Sequence, residues 1–186
     1  FPIDNVGLTG CLSLINLKID KISIRATNSS CEDTVNFINS QGSVEYVKIL
    51  NSFSDALDVD FSNIEFNNII VSNALNDCVD FSSGNYSLLN LTLDKCGDKG
   101  LSVGEKSIVK LKNIEVNYAN IGIASKDSSV VSLSKAKMSN LKTCVSAYNK
   151  KQEFLGGYVE INNLVCEKYF KKADSDISSK IFLEKK

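Results

Sequence analysis

The sequence predicts an all-β protein, a single-stranded, right-handed parallel β-helix with coils of about 22 residues. Three observations predict this fold class. One column of apolar residues recurs at constant spacing, a second column follows it two residues later, and the only proline lies at position 2. In such a solenoid each coil stacks about 4.8 Å from its neighbour, so the interior consists of columns of equivalent residues.

The first strand of each coil carries the clearest repeat. Its leading apolar column advances by 22 residues at every step: Val35, Leu57, Val79, Leu101, Ile123 and Val145. The second column follows two residues behind: Phe37, Val59, Phe81, Val103, Ser125 and Ala147. Because the residues between the two columns are mostly polar, the alternation indicates a strand with one buried face. A β-sandwich, the alternative fold, does not require equal intervals.

A second strand is predicted in each coil from apolar residues with the same period. The expected stacks are Leu89, Leu111 and Leu133; Val109 and Val131; Ile114 and Ala136; Val116 and Met138. Asparagine recurs at 68, 90, 113, 140 and 163, which suits tight turns with left-handed backbone. The intervals are too short for the helix of a βαβ crossover, so helices are not expected.

Departures from the period divide the chain, which is interpreted as one domain over residues 1–186. Regular coils are expected over about 31–148, because the preceding interval, from Leu12 to Val35, is 23 residues. A six-residue insertion within KKQEFLGG predicts a protruding loop at about 149–157. The tail, residues 167–186, leaves the period and is expected to cap the last coil. Phe1 in place of methionine predicts a processed chain or a segment of a larger protein.

The composition excludes several kinds of function. The chain has no histidine, which excludes Ser-His-Asp, Cys-His and histidine–zinc sites. With 21 basic and 22 acidic residues there is no basic surplus, so a nucleic-acid partner is not expected. No apolar run is long enough to span a membrane, and no pattern requires a cofactor.

The six cysteines are interpreted as buried thiols that fill small core positions, with disulfides as the alternative. They form no CxxC pair, which argues against a zinc ribbon or a thioredoxin motif. Cys78 and Cys144 fall in one column but three coils apart, too far for a bond.

Stacking is expected to bring acidic residues from different coils onto one outward surface, which we call the acid wall. Its carboxylates are Asp55, Asp58, Asp60, Asp77, Asp80 and Asp98, with Lys99 and Lys126 beside them. Carboxylates stacked at about 4.8 Å repel one another unless something compensates. Three compensations are open: a bound cation such as Ca²⁺, a nearby lysine, or a proton retained by one carboxyl group. The plainer alternative is that outward positions are polar because they face water.

Candidate residues follow from these columns. The candidates for acid–base catalysis are Asp55, Asp77, Asp80, Lys99 and Lys126. The candidates for contact with substrate are Asp58, Asp60, Asp98, Glu105, Asp127, Tyr148 and Lys150. The candidate ligands of a Ca²⁺ ion are Asp58 and Asp80.

At SDALDVDFS, NDCVDFSSGN, GDKGLSVGE, IGIASKDSS and AYNKKQEF the chain resembles a group of bacterial β-helix domains. These domains are encoded near, or fused to, CotH-type proteins that resemble spore-coat kinases. The resemblance covers residues 54–157. It implies the fold and a bacterial secreted or cell-surface setting, and it implies no reaction.

The chain also resembles the pectin-lyase-like superfamily, in particular its polygalacturonase-type hydrolases. Asp55 lies in SDALD where that family has NTD, and Asp77 lies in NDC where it has DDC. Lys99 stands at the histidine of GHG, and Lys126 matches the lysine of RIK. Asn76 and Ala124 replace a carboxylate and an arginine of the family, so a polygalacturonase of the usual kind is not expected. The resemblance implies that this face is where such folds hold polysaccharide.

The leading hypothesis is a secreted or cell-surface β-helix that binds an acidic or neutral polysaccharide on the acid wall. If it is an enzyme, it is expected to act as a hydrolase, a lyase or an epimerase. The competing hypothesis is a non-catalytic spacer, adhesin or oligomerising module. A third possibility is a phage tail-spike segment, which predicts a trimer. In each case the chain is compatible with being part of a larger protein.

Overall fold

The computed structural model describes residues 7–184, which contain thirteen β-strands and no helix. The strands are β1 Gly10–Ile15, β2 Lys18–Thr27, β3 Asp33–Ile38, β4 Gln41–Ser52, β5 Asp55–Asp60, β6 Asn63–Ala74, β7 Val79–Ser82, β8 Asn85–Cys96, β9 Lys99–Gly104, β10 Ile108–Lys126, β11 Val130–Tyr148, β12 Tyr158–Ser175 and β13 Lys180–Leu183. Every strand pairing among them is parallel. The all-β prediction is confirmed.

Two ladders of parallel strands wind as a solenoid of about eight turns. The first ladder joins β1, β3, β5, β7 and β9 with the carboxyl-terminal parts of β10, β11 and β12. The second ladder joins β2, β4, β6 and β8 with the amino-terminal parts of β10, β11 and β12, and ends at β13. The predicted coil length is confirmed, and right-handed winding stays a prediction.

The register of the first ladder is the one the sequence predicts. Val35 pairs with Leu57, and the column continues at the same interval to Val145. Leu12 pairs with Val35, which confirms that the first interval is one residue longer. Val131 pairs with Val159 across the insertion, so the six-residue insertion is also confirmed.

The second ladder departs from the predicted register at one step. Leu111 pairs with Leu88 and not with Leu89, whose side chain is 40% exposed. The interval from β8 to β10 is therefore one residue longer than the regular repeat. Between the same two coils, the first ladder keeps the regular repeat. The extra residue lies in the turn before β10, where Glu105 and Lys106 both have left-handed backbone.

Residues 167–175 and 180–183 keep the repeat, so the expected departure from the period is wrong, while the cap over the last coil stays a prediction. Ala147 pairs with Ser175 across the insertion, and Tyr158 then pairs with Lys180 at the regular interval. The insertion shifts the numbering by six and conceals a period that continues behind it. Residues 1–6 and 185–186 lie outside the part of the chain that the structure describes.

The aromatic core shows that the two ladders face each other. The ring of Phe37, on the first ladder, meets that of Phe66, on the second, with centroids 5.9 Å apart. Phe81 continues the stack onto Tyr86 at 4.4 Å. The Tyr86 hydroxyl donates to the carbonyl of Val59 at 2.9 Å, which satisfies a buried polar group. The outward surfaces of the two ladders are thus separated by the core.

Asparagines stack at the turns. Asn73 Nδ2 donates to Asn51 Oδ1 at 2.9 Å, and Asn51 Nδ2 to Asn28 Oδ1 at 2.8 Å. All three have φ between 56° and 64°, the left-handed region that asparagine tolerates. Asn68, Asn90 and Asn113 form a separate hydrogen-bonded column, and Asn140, with φ 59°, is also left-handed. Of the asparagines predicted for left-handed turns, only Asn140 is left-handed; Asn68, Asn90, Asn113 and Asn163 lie within β6, β8, β10 and β12, so the prediction is wrong for these four.

The cysteines form disulfides, so the interpretation as free thiols is wrong. The bonds join Cys11 to Cys31, Cys78 to Cys96 and Cys144 to Cys166. Each partner lies across the coil, with Cα atoms 5.3 to 6.5 Å apart, and not along a column. No cysteine within residues 7–184 is free. Three disulfides are typical of proteins in an oxidising or extracellular compartment.

Candidate functional site

The acid wall forms on the first ladder, where the columns bring distant residues together. Asn36 pairs with Asp58, Asp58 with Asp80, and Asp80 with Ser102. Asp33 pairs with Asp55 in the next column. The stacking on which the predicted site depends is therefore confirmed.

Much of the wall is buried, which differs from the expected outward ladders, and we call this partly buried part of the wall the recess. Asp77, Lys99 and Lys126 are 3%, 8% and 7% exposed, and Ser102 is fully buried. The stem of Lys126 lies directly against Gly104, where an added Cβ would come within 2.9 Å of Lys126 Cε. Neighbouring columns thus cover the polar groups between them.

One end of the recess is neutralised by lysine. Lys99 Nζ lies 3.3 Å from both carboxylate oxygens of Asp77 and 2.5 Å from Asp98 Oδ2. Lys126 Nζ lies 3.6 Å from Asp80 Oδ2. Partial burial alone would raise the pKa of Asp98, but its hydrogen bond to Lys99 lowers that pKa below the ordinary value. Burial raises the pKa of Asp77, against the opposing charge of Lys99.

The other end carries carboxyl groups without a cationic partner. Within residues 7–184, no basic side chain lies within 4.0 Å of Asp33, Asp55, Asp58 or Asp60. Burial raises the pKa of Asp55 to about 7, despite the hydrogen bond from the Asp77 N–H at 2.7 Å. Burial and the neighbouring charge of Asp60 raise the pKa of Asp58 well above its ordinary value. This end therefore favours retained protons or a cationic ligand.

Among the residues that the structure describes, buried polar atoms without partners mark one column of the recess. Four of them are Ser13 Oγ, Asn36 Oδ1, Asp80 Oδ1 and Ser102 Oγ, and the fifth, Asp127 Oδ2, lies outside that column beside the insertion loop. Register places all four in the same column, since Ser13 pairs with Asn36. Leaving a buried polar group unpaired costs about 1–3 kcal/mol, and each such group calls for an explanation.

Sequence reasoning did not propose Ser13, Asn36 or Ser102 as site residues. Polar residues at outward positions are expected on any solenoid, so their identity alone carries no signal. What distinguishes these three is that the fold buries them in a column with Asp58 and Asp80. Which outward polar side chains are buried cannot be predicted from the spacing of the residues, so sequence reasoning could not select these three.

Two predicted contact residues hold the insertion loop. Asp127 Oδ1 accepts from the backbone N–H groups of Lys150 and Lys151 at 2.7 and 2.8 Å. Glu105 pairs with the Lys151 ammonium. The Lys150 side chain itself is exposed. The loop predicted at 149–157 is confirmed as a segment without strand, anchored beside the recess.

Tyr148 lies at the lysine end of the recess. It ends β11 and pairs with Lys126 in the preceding coil. Burial raises the pKa of Tyr148, although the charges of Lys99 and Lys126 act in the opposite direction. The phenol is therefore close to both ammonium groups.

The calcium site expected on Asp58 and Asp80 stays a prediction. The two residues stack in adjacent coils, as a shared ligand would need. However, no group of three or more Asp, Glu or Cys side chains suited to a metal ion occurs between residues 7 and 184. Calcium prefers six to eight oxygen ligands, so the two aspartates alone do not complete a site.

We expect stability to fall as the pH rises from about 4 to about 7. The folded pKa of Asp55, about 7, lies above the ordinary value of 3.8. Between these values the folded state binds more protons than the unfolded state, so the free energy of unfolding decreases as pH increases. The pKa shifts of Asp33, Asp58 and Asp60 act in the same direction.

Melting temperatures measured across this range test the expectation. Asp55→Asn should flatten the pH dependence, because the amide does not titrate. Glu65→Gln is the matched control, since Glu65 is exposed on the second ladder of the same coil. A melting temperature that rises with pH would contradict the assignment of raised pKa values to the recess.

Comparison of the chain with family models, curated proteins and solved structures finds no match in any of the three. The two resemblances drawn from the sequence therefore stay expectations. Within residues 7–184, no helix has the length and apolar character needed to cross a membrane.

Proposed function

We propose that the protein binds a polysaccharide in the recess of the acid wall and acts on it by acid–base chemistry in a secreted or cell-surface setting. The observation that carries the proposal is the column of buried polar atoms without partners, which crosses several coils. A polysaccharide lying along the column would offer hydroxyl groups, both donors and acceptors, repeatedly along its length. The disulfides support the setting.

Hydrolysis is the reaction class that the side chains support best. Asp55, with a pKa of about 7, is the candidate general acid, because it keeps a proton near neutral pH. Asp80 is the candidate second carboxyl group, since its Oδ1 lacks a partner while its Oδ2 faces Lys126. In glycoside hydrolysis one carboxylic acid protonates the leaving oxygen and the other acts as base or nucleophile.

Elimination and epimerisation are supported less well. Both need a base that removes a proton from carbon, and Lys99 or Lys126 was the candidate. Although burial opposes it, the charge of Asp77 and the hydrogen bond to Asp98 raise the pKa of Lys99. An ammonium held in this way is a poor base and serves better to position carboxylates.

Asp55→Asn is expected to reduce polysaccharide cleavage at least about 100-fold while binding is retained, because the amide cannot donate a proton. The measurement is the release of reducing ends from a panel of polysaccharides, with Glu65→Gln as the control of equal charge change. Unchanged cleavage in the Asp55 variant would remove Asp55 from the mechanism. Absence of both cleavage and binding in the wild-type protein would end the proposal.

A structural module is the second candidate function, and the ion pairs of Lys99 favour it. They neutralise Asp77 and Asp98 within the fold, so these two carboxylates need no ligand to compensate their charge. This candidate predicts that no polysaccharide binds and that substitutions in the recess change stability alone.

A further inference from the structure

The charge balance of the recess restricts the ligand. Its carboxyl groups outnumber its ammonium groups by seven to two: Asp33, Asp55, Asp58, Asp60, Asp77, Asp80 and Asp98 against Lys99 and Lys126. Both lysines are already engaged, Lys99 with Asp77 and Asp98, and Lys126 with Asp80. Among the residues of this recess no positive charge is left to receive an anionic ligand, and a uronate chain would meet like charge.

The unpartnered atoms point in the same direction. Asn36 is 1% exposed, and its Nδ2 already donates to Asp58 Oδ2 at 2.7 Å, so only its acceptor Oδ1 is left without a partner. Asp80 Oδ1 is likewise an acceptor without a donor. A ligand that completes these contacts must displace the side chains that cover these atoms and must donate hydrogen bonds to them, and an ammonium group has three donors and no acceptor.

We propose that the recess recognises a polysaccharide that bears free amino groups, a polymer of amino sugars in the ammonium form. This inference rests on the proposed function and names the substrate class of the same site. The ammonium groups contact the half-buried carboxyl groups of Asp58 and Asp60, which have no cationic partner within the described chain. Charge-assisted contacts of this kind are stronger than neutral hydrogen bonds.

An amino sugar fits the column better than a lysine-rich peptide does. Ser13 and Ser102 lie at the two ends of the column, so hydroxyl groups, which both donate and accept, flank the acceptors of Asn36 and Asp80. Sugar hydroxyls pair with such groups, whereas the aliphatic stems of lysine side chains would leave them unsatisfied. Hydroxyl groups on either side of the amide and carboxyl groups thus suit amines carried on a hydroxylated chain.

Calorimetric titration at low salt with four probes of equal length tests the inference. The probes are a glucosamine oligomer, its fully N-acetylated form, an oligogalacturonate and an oligolysine. We expect the glucosamine oligomer to bind at least about tenfold more tightly than each of the others, with affinity that falls as salt is added. Asp58→Asn and Asp60→Asn should each weaken that binding severalfold, and Glu65→Gln should leave it unchanged.

Proton release gives a second readout that does not depend on the variants. At about pH 5.5, where the amines are already charged, an ammonium that meets Asp58 or Asp60 displaces protons from these groups. Titration in two buffers of different ionisation enthalpy counts the protons released. Tight binding without proton release would overturn the assignment of the amines to these carboxyl groups.

The outcomes separate this inference from the proposed function. If the acetylated oligomer or the oligogalacturonate binds as well as the glucosamine oligomer, the inference fails and polysaccharide binding stands. If oligolysine binds as well, the recess is a general site for cations and the inference again fails. If none of the sugars binds, the proposed function fails with it.

Discussion

Replacing Lys99 by methionine is expected to lower the free energy of unfolding by about 3 kcal/mol or more. Lys99 and Asp77 are 8% and 3% exposed, so the substitution leaves a buried carboxylate without its cation. Methionine keeps the length of the stem, which limits the loss of packing. Because the pKa of Asp77 is already raised by burial, the loss should be larger at high pH, where the carboxylate is charged.

Urea denaturation of the double variant Lys99→Met/Asp77→Asn identifies the cause. Removing both charges should recover most of the lost stability, because a buried amide is far less costly than an unpaired buried charge. Lys171→Met is the exposed control: its pair with Asp174 is about half exposed on each side, and we expect a change below about 0.5 kcal/mol. Asp77→Asn alone completes the comparison. If the losses of stability in Lys99→Met and Asp77→Asn simply add in the double variant, the ion pair does not stabilise this end of the recess.

The repeat was predictable because the constant spacing of apolar residues along the sequence is enough to define it. Once Val35, Leu57 and Val79 define the period, every residue of the first ladder is assigned to a column. The slip in the second ladder was not predictable, because Leu88 and Leu89 are both leucine and either satisfies the pattern. The structure selects Leu88, since the turn at Glu105 and Lys106 takes up one more residue.

The membership of the acid wall was predictable for the same reason, but its chemistry was not. Stacking of Asp58 on Asp80 follows from their separation by a single repeat. The burial of Lys99 and the unpaired Oδ1 of Asn36 depend on side-chain directions that a column does not specify. The disulfides were missed because the column analysis considers only residues one repeat apart, in neighbouring coils. Cys78 and Cys96 are 18 residues apart and meet across the interior of a single coil.

Removing the central disulfide by Cys78→Ala/Cys96→Ala is expected to destabilise the protein by about 3 kcal/mol. The bond closes a segment with a sequence separation of 18 residues in the middle of the solenoid. Alanine is the natural replacement, because Ala74 already pairs with Cys96 from the preceding coil, and Ala56 lies one repeat before Cys78. The substitution therefore removes the cross-link and little else from the core.

Removing the Cys11–Cys31 bond in the same way provides the comparison. In a solenoid each coil is stabilised by its neighbours, so loosening the first coil frays one end while loosening a central coil weakens the contacts on both sides. We expect the central variant to lower the midpoint of global unfolding, and the terminal variant to raise amide hydrogen exchange mainly in β1 and β2. Equal midpoints for the two variants would mean that unfolding does not pass through the central coils, and the nearest-neighbour description of this protein would have to be abandoned.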